Sequence, residues 1–145
     1  MLYVETVESG TFAILKELQR LPQLEGFHLT GGTALALHFG HRKSIDLDLF
    51  GGSLSKMEVR EAIKRKFTKV EFIDSLSNWS LFCYIDGVKV DIVQYPHMLL
   101  CDPISQTEIT FYDLPDLSAM KLNAILRRGT KKDFWDIMNF CFISE

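Results

Sequence analysis

Residues Ile45-Asp46-Leu47-Asp48-Leu49 alternate strictly between apolar and acidic side chains, and no other feature restricts the fold of this chain more. A period of two is the period of a β-strand, so the segment is expected to turn its apolar residues to a core. Both carboxylates then leave the opposite face, about 7 Å apart. Two such charges repel each other, and the pair is either a polar edge facing water or a seat for a cation that bridges it. Immediately upstream, Phe27-His28-Leu29-Thr30 reads as a short strand that runs into Gly31-Gly32. Thr33 to Phe39 then reads as a helix closed by Gly40. A glycine turn into a helix presents unpaired amides to an anion. Its closeness to the acidic pair weakens the polar-edge reading and leaves both open.

The remaining periodicities supply partners for that strand. Phe12, Leu15, Leu18 and Leu21 recur at helical spacing over Ser9 to Leu21. Ser55 with Glu58 has the form of a capping box opening a helix through Lys66. Strands are expected near Lys69 to Ile73, Trp79 to Ile85 and Val88 to Val93, with Asp86-Gly87 as a hairpin turn between the last two. Pro96 to Thr110 reads as a looser stretch. Pro115 suits the first turn of a helix that runs to Arg128 and stops at Gly129, and Thr130 with Asp133 opens a last helix from Lys131 to Ile143. This order predicts an α+β (α/β) architecture, a mixed sheet flanked by helices, in one domain spanning residues 1–145.

Composition narrows the function. At 47% hydrophobic residues the chain is expected to fold, and a net charge of −3 argues against a surface built throughout to coat nucleic acid. Any polyanion contact must be local. Cys83, Cys101 and Cys141 have no paired spacing and read as reduced apolar thiols. With no basic, apolar leader and no run of roughly 18 apolar residues, a cytoplasmic protein without a membrane span is expected.

Three further groups carry chemistry. In Val88-Lys89-Val90-Asp91-Ile92-Val93, alternation places Lys89, Asp91 and Val93 on one face. Asp91 is either solvent-facing or, if this strand lies beside the acidic one, the third member of a set able to hold one or two Mg²⁺ ions and bridge them to triphosphate oxygens. Lys121 has Leu117, Ser118, Ala124 and Ile125 as helical neighbours, a small and apolar face on which a cation either snorkels or is aimed at a triphosphate. Lys121, Arg127, Arg128, Lys131 and Lys132 occur without an intervening acid, as a solvated helix corner or as a holder of substrate phosphates. Asp133 suits a helix cap, whereas Asp136, flanked by Trp135 and Ile137, is not explained by capping. The histidines have no metal-ligand spacing, and no Ser or Cys has a nucleophile context, which disfavours a hydrolase triad.

Gly31-Gly32-Thr33 followed by Asp46-Leu47-Asp48-Leu49 resembles the signature of the polymerase-beta-like nucleotidyltransferase superfamily. Leu29 to Leu37 with His41-Arg42-Lys43-Ser44-Ile45-Asp46-Leu47-Asp48-Leu49-Phe50 is similar to the AbiEii/AbiGii toxin family, as are Ala119 to Arg128 and Lys132-Asp133-Phe134-Trp135-Asp136-Ile137. The resemblance implies a nucleotidyltransferase fold with C-terminal helices. It also implies an NTP substrate, Mg²⁺ or Mn²⁺, and the toxin role of a bacterial toxin/antitoxin or phage-defence system with a cognate antitoxin partner. Some members add nucleotides to the acceptor end of tRNA. Carried over by position, Asp46, Asp48 and Asp91 would bind metal, with Asp91 also helping to deprotonate the attacking hydroxyl. Gly31, Gly32 and Thr33 would meet phosphates through backbone amides and a hydroxyl, and Lys121 would contact the triphosphate. Asp136, with Asp133, would orient Lys121 or the acceptor, and Arg127, Arg128 and Lys132 would support acceptor binding.

Members usually continue past the last aspartate helix into further helical segments, so acceptor binding is the function that the shorter chain is expected to weaken. The alternative is a truncated, non-catalytic nucleotide- or partner-binding domain of the same fold. A third option keeps the chemistry and moves the nucleotide to a protein side chain.

Overall fold

The acidic strand lies in the middle of a seven-stranded mixed sheet. The computed structural model describes residues 2–143, with side chains through residue 139. Its strands are β1 (His28–Thr30), β2 (Leu47–Gly51), β3 (Val70–Ile73), β4 (Ser80–Ile85), β5 (Val88–Gln94), β6 (Ile104–Gln106) and β7 (Ile109–Phe111), in the order β3-β4-β5-β2-β1-β7-β6. Around them pack α1 (Ser9–Gln19), α2 (Gly31–Phe39), α3 (Lys56–Lys66), α4 (Leu114–Arg127) and α5 (Lys131–Ile143). β2 runs antiparallel to β1 and parallel to β5. This is the mixed sheet with flanking and C-terminal helices that the sequence predicts. Among the described residues no helix is long and apolar enough to cross a membrane.

Register follows from the alternation. Leu47, Val90, Cys83 and Phe72 form one cross-strand row, and Leu29, Leu49, Ile92 and Leu81 another. Leu29, Leu47, Leu49, Val90 and Ile92 are wholly buried, each contributing about 1.5–3 kcal/mol of burial. Helix α3 covers this face, with Arg60 and Lys64 over the Phe72 ring at 4.5 and 5.9 Å. A slip of one residue would exchange Leu47 and Leu49 for Asp48 in the core, so the register is strongly specified. The opposite face of the same rows carries Thr30, Asp48 and Asp91 side by side.

Several local expectations are corrected. The acidic strand begins at Leu47, leaving Asp46 in the preceding loop. β1 turns into α2 after Thr30, the partner of Asp48, and so offers Asp46 no ladder, while the Thr33 hydroxyl takes the Asp46 carbonyl. Ser55 makes no capping hydrogen bond. Asp113 caps α4 by accepting from the Leu114 amide at 2.7 Å. Helix α1 stops at Gln19 because Pro22 forces Leu21 into extended backbone. The stretch read as loose contains the β6–β7 hairpin, turned by Thr107 and Glu108 at φ 56° and 64°. That backbone is one glycine or asparagine normally supplies, so the turn is silent in the sequence.

Candidate active site

Asp48 and Asp91 are direct register partners on the parallel pair β2–β5, and Asp46 stands where the chain enters β2. Burial, then the charges of Asp91 and Asp46, push the Asp48 carboxyl up to about 6, against the weaker pull of Lys89 and Lys121. Burial raises Asp91 as well, with Lys89 opposing and Asp46 reinforcing. Among the described residues Asp91 Oδ1 is buried without a hydrogen-bond partner, and Oδ2 is paired with Lys89 Nζ at 3.8 Å. The shared deficit of these groups is positive charge, and their hard oxygen donors suit a divalent cation such as Mg²⁺. Among the described residues they are not drawn together into a ready-made cage for an ion.

Helix α2 begins directly against this row. Gly31 sits at φ +70°, and a Cβ there would lie 2.5 Å from Asp48 Oδ2, so both the backbone and the space require glycine. Thr33 does not present its hydroxyl to a ligand. It is 1% exposed, pairs with Ser44 Oγ at 2.6 Å and donates to the Asp46 carbonyl. Its service is to anchor the loop that aims Asp46.

A second carboxylate cluster forms the facing wall. Asp133 accepts from Lys121 Nζ at 3.1 Å, Arg128 Nε and Nη2 at 3.0 Å, and the Thr130 amide and hydroxyl at 3.1 and 2.8 Å. Asp136 accepts from His41 Nε2, from Arg42 Nε at 3.0 Å and Nη2 at 3.3 Å, and pairs with Lys121 Nζ at 2.9 Å. Both acids are fully buried. Burial alone would raise them, yet hydrogen bonds from Arg128, Thr130 and Lys121 hold Asp133 far below the usual carboxylate range, and those from His41, Arg42 and Lys121 do the same for Asp136.

Between the walls lies a pocket of about 580 Å³, lined by seven Lys or Arg residues and four Asp. Asp46, Asp48, Asp91, Gly32, Thr33 and Lys121 reach it, as do Arg128, Lys132 and Asp133. Gly31 supports Asp48 from behind, Asp136 lies beneath the cationic wall, and Arg127 is exposed and turned away from the pocket. Lys121 is 6% exposed and committed to two carboxylates, so it is the hub of this wall and not a free surface cation. His41 and Arg42 escaped the sequence reading. The only available signal was a His-Arg pair between the glycine turn and the acidic strand, and its partner Asp136 is more than 90 residues away. An anionic wall facing a cationic one suits a polyphosphate with its divalent counter-ion.

Comparison with known proteins bears on the family and the fold. Residues 13–92 match the model of a family described as nucleotidyl transferase AbiEii toxin, type IV toxin–antitoxin system. An uncharacterized protein of Aquifex aeolicus is 32% identical over 127 residues, covering 85% of this chain, and the chain spans 61% of that relative. In three dimensions the chain is similar to the Megavirus polyadenylate synthase (TM-score 0.64, 13% identity, 88% of this chain and 30% of that one). It is also similar to JHP933 of Helicobacter pylori (TM-score 0.60, 17% identity, 90% and 65%). A Thermotoga maritima CCA-adding enzyme solved with tRNA matches over 63% of this chain and 22% of its own (TM-score 0.50, 18% identity).

Proposed function

The chain belongs to the AbiEii family of nucleotidyl transferase toxins, and from that premise we propose that it transfers the nucleoside monophosphate of an NTP to an acceptor hydroxyl, with tRNA as acceptor, as the toxin partner of a cognate antitoxin. The observation that carries the reading is the pairing of Asp48 with Asp91 on adjacent strands, opposite the cationic wall built on Lys121.

In this reaction the acceptor oxygen forms a bond to the α-phosphorus, the bond from that phosphorus to the bridging oxygen breaks, and pyrophosphate leaves. Asp91, whose proton affinity burial raises, takes the proton of the attacking hydroxyl. Asp46, Asp48 and Asp91 would hold Mg²⁺ or Mn²⁺, which when bound would supply Lewis-acid charge to the phosphate oxygens. The cationic wall orients the polyphosphate and receives the charge that develops on the leaving group. Support for an RNA acceptor comes from Lys131 and Lys132, exposed at the pocket rim, where they meet a phosphate backbone without entering the site.

The test is incubation with Mg²⁺, each α-labelled NTP and total bacterial tRNA, with Asp48→Asn in parallel. Label on tRNA from the unaltered chain alone supports the proposal. Label on protein would replace the acceptor, and no label from any NTP would overturn the transfer reading.

A further inference from the structure

Asp133 and Asp136 carry two negative charges and bind three permanent cations, Lys121, Arg128 and Arg42. Asp48 shares in balancing two of these cations, Lys121 and Arg128, so the third, Arg42, is the one whose remaining donors bear on an anion from outside. Lys121 is enclosed between both carboxylates. Arg128 is tied to Asp133, and its side chain is 62% exposed. Arg42 is both ordered and open: its side chain is 17% exposed, and it lines the pocket while Asp136 holds it by two parallel bonds.

Guanidinium has five N–H donors. Arg42 gives Nε and one Nη2 hydrogen to Asp136 and one Nη1 hydrogen to the Lys43 carbonyl at 3.3 Å. No acceptor among the described residues takes the remaining Nη1 and Nη2 hydrogens, which lie on the edge of the fork away from Asp136. The group is also set against the first turn of α2. A Cβ on Gly32 would lie 3.2 Å from Arg42 Cζ and closer still to Nη2, so the absent side chain of Gly32 is the space the guanidinium occupies. This brings a two-pronged donor and the free amides at the start of α2 to one point of the pocket wall, beside Asp48, whose Oδ2 lies against the neighbouring Gly31.

We propose that Arg42 is a polyphosphate-binding residue, its outer N–H pair gripping non-bridging oxygens of the β- and γ-phosphates of the NTP. The assignment rests on the nucleotidyl-transfer reading and adds to it the group that holds the leaving pyrophosphate. A planar fork serves two oxygens at once in a way that an ammonium cannot. Arg42→Lys is therefore expected to recover only part of what Arg42→Ala loses.

The experiment is calorimetric titration of the full chain with Mg²⁺ and an α,β-methylene NTP analogue, and separately with inorganic tripolyphosphate, for the unaltered protein, Arg42→Ala, Arg42→Lys and Gly32→Ala. Thermal melts are recorded in parallel. Arg42→Ala should weaken both ligands by about 30- to 100-fold, with Arg42→Lys intermediate. Gly32→Ala, whose new methyl displaces the guanidinium, should lose a comparable factor, and it carries the test if Arg42→Ala does not fold. Unchanged affinity in folded Arg42→Ala, or in Gly32→Ala, would overturn the assignment and leave nucleotidyl transfer standing. No binding of either ligand by the unaltered chain would overturn both.

Discussion

Two pairs of aspartates meet at one pocket, the half-buried Asp48 and Asp91 and the fully buried Asp133 and Asp136, and their carboxyls are displaced in opposite directions. Asp48 and Asp91 are raised and Asp133 and Asp136 lowered, although burial pushes all four the same way. What differs is the company. Asp133 and Asp136 are supplied with Lys121, Arg128, Arg42 and His41 by the fold itself, whereas Asp48 and Asp91 have each other, Asp46, one ion pair from Lys89 to Asp91 at 3.8 Å and a weaker pull from Lys121. A carboxylate the protein neutralises is part of its architecture. One that it leaves without a matching cation is, on the proposed reading, where a cation from outside would bind.

The contrast predicts opposite responses to the same kind of substitution. The largest is in catalysis: Asp48→Asn should lower nucleotidyl transfer by about 10³-fold or more, roughly 4 kcal/mol of barrier, while its melting curve stays cooperative. Loss of folding would place Asp48 with the architectural pair. Next is Asp136→Ala, which strands Arg42 and His41, leaves Lys121 with Asp133 alone, and should cost about 3–5 kcal/mol in denaturant unfolding. A cost below about 1 kcal/mol would erase the distinction between the clusters.

A smaller effect has the other sign. Asp48 binds a proton more tightly folded, at about 6, than its ordinary 3.8, so ionising it opposes folding. The penalty is absent below about pH 4, grows as pH rises towards 6 and is complete above it. Metal-free Asp48→Asn should therefore be more stable than the unaltered chain at pH 7.5 by about 1–2 kcal/mol, with the gain vanishing by about pH 4. Smallest of all, Arg127→Ala, exposed and off the pocket, should change transfer less than about twofold, as surface substitutions remote from a site usually do.

How much of this was legible in the sequence follows from how local each feature is. The alternation over Leu47, Asp48 and Leu49 and the Asp86-Gly87 hairpin state their structure within a few residues and the sheet forms on them, whereas the same alternation over Ile45 and Asp46 does not extend the strand, which begins at Leu47 and leaves Ile45 exposed. The β6–β7 turn uses Thr107 and Glu108 where the usual residues are absent, so only tertiary context reveals it. The Ser55 capping pattern was present in sequence and unused in structure, a reminder that a local motif competes with packing. In the site, the anomaly of Lys121 on an apolar helix face pointed correctly to a special environment, although the partners that create it were not legible. His41 and Arg42 reach Asp136 only once α2 and α5 are packed together, and no spacing rule encodes a contact of that range.

The central claim, that the uncompensated cluster is a cation site, is tested most directly by titrating the metal-free protein with Mn²⁺ while following proton release in weakly buffered solution. Because Asp48 is partly protonated near pH 6, binding there should expel protons. Affinity should rise as pH increases through about 6 and then level off, and Asp48→Asn should abolish both. Mn²⁺ binding that is independent of pH from 5 to 7 and unchanged in Asp48→Asn, or no binding with or without NTP, would contradict the account.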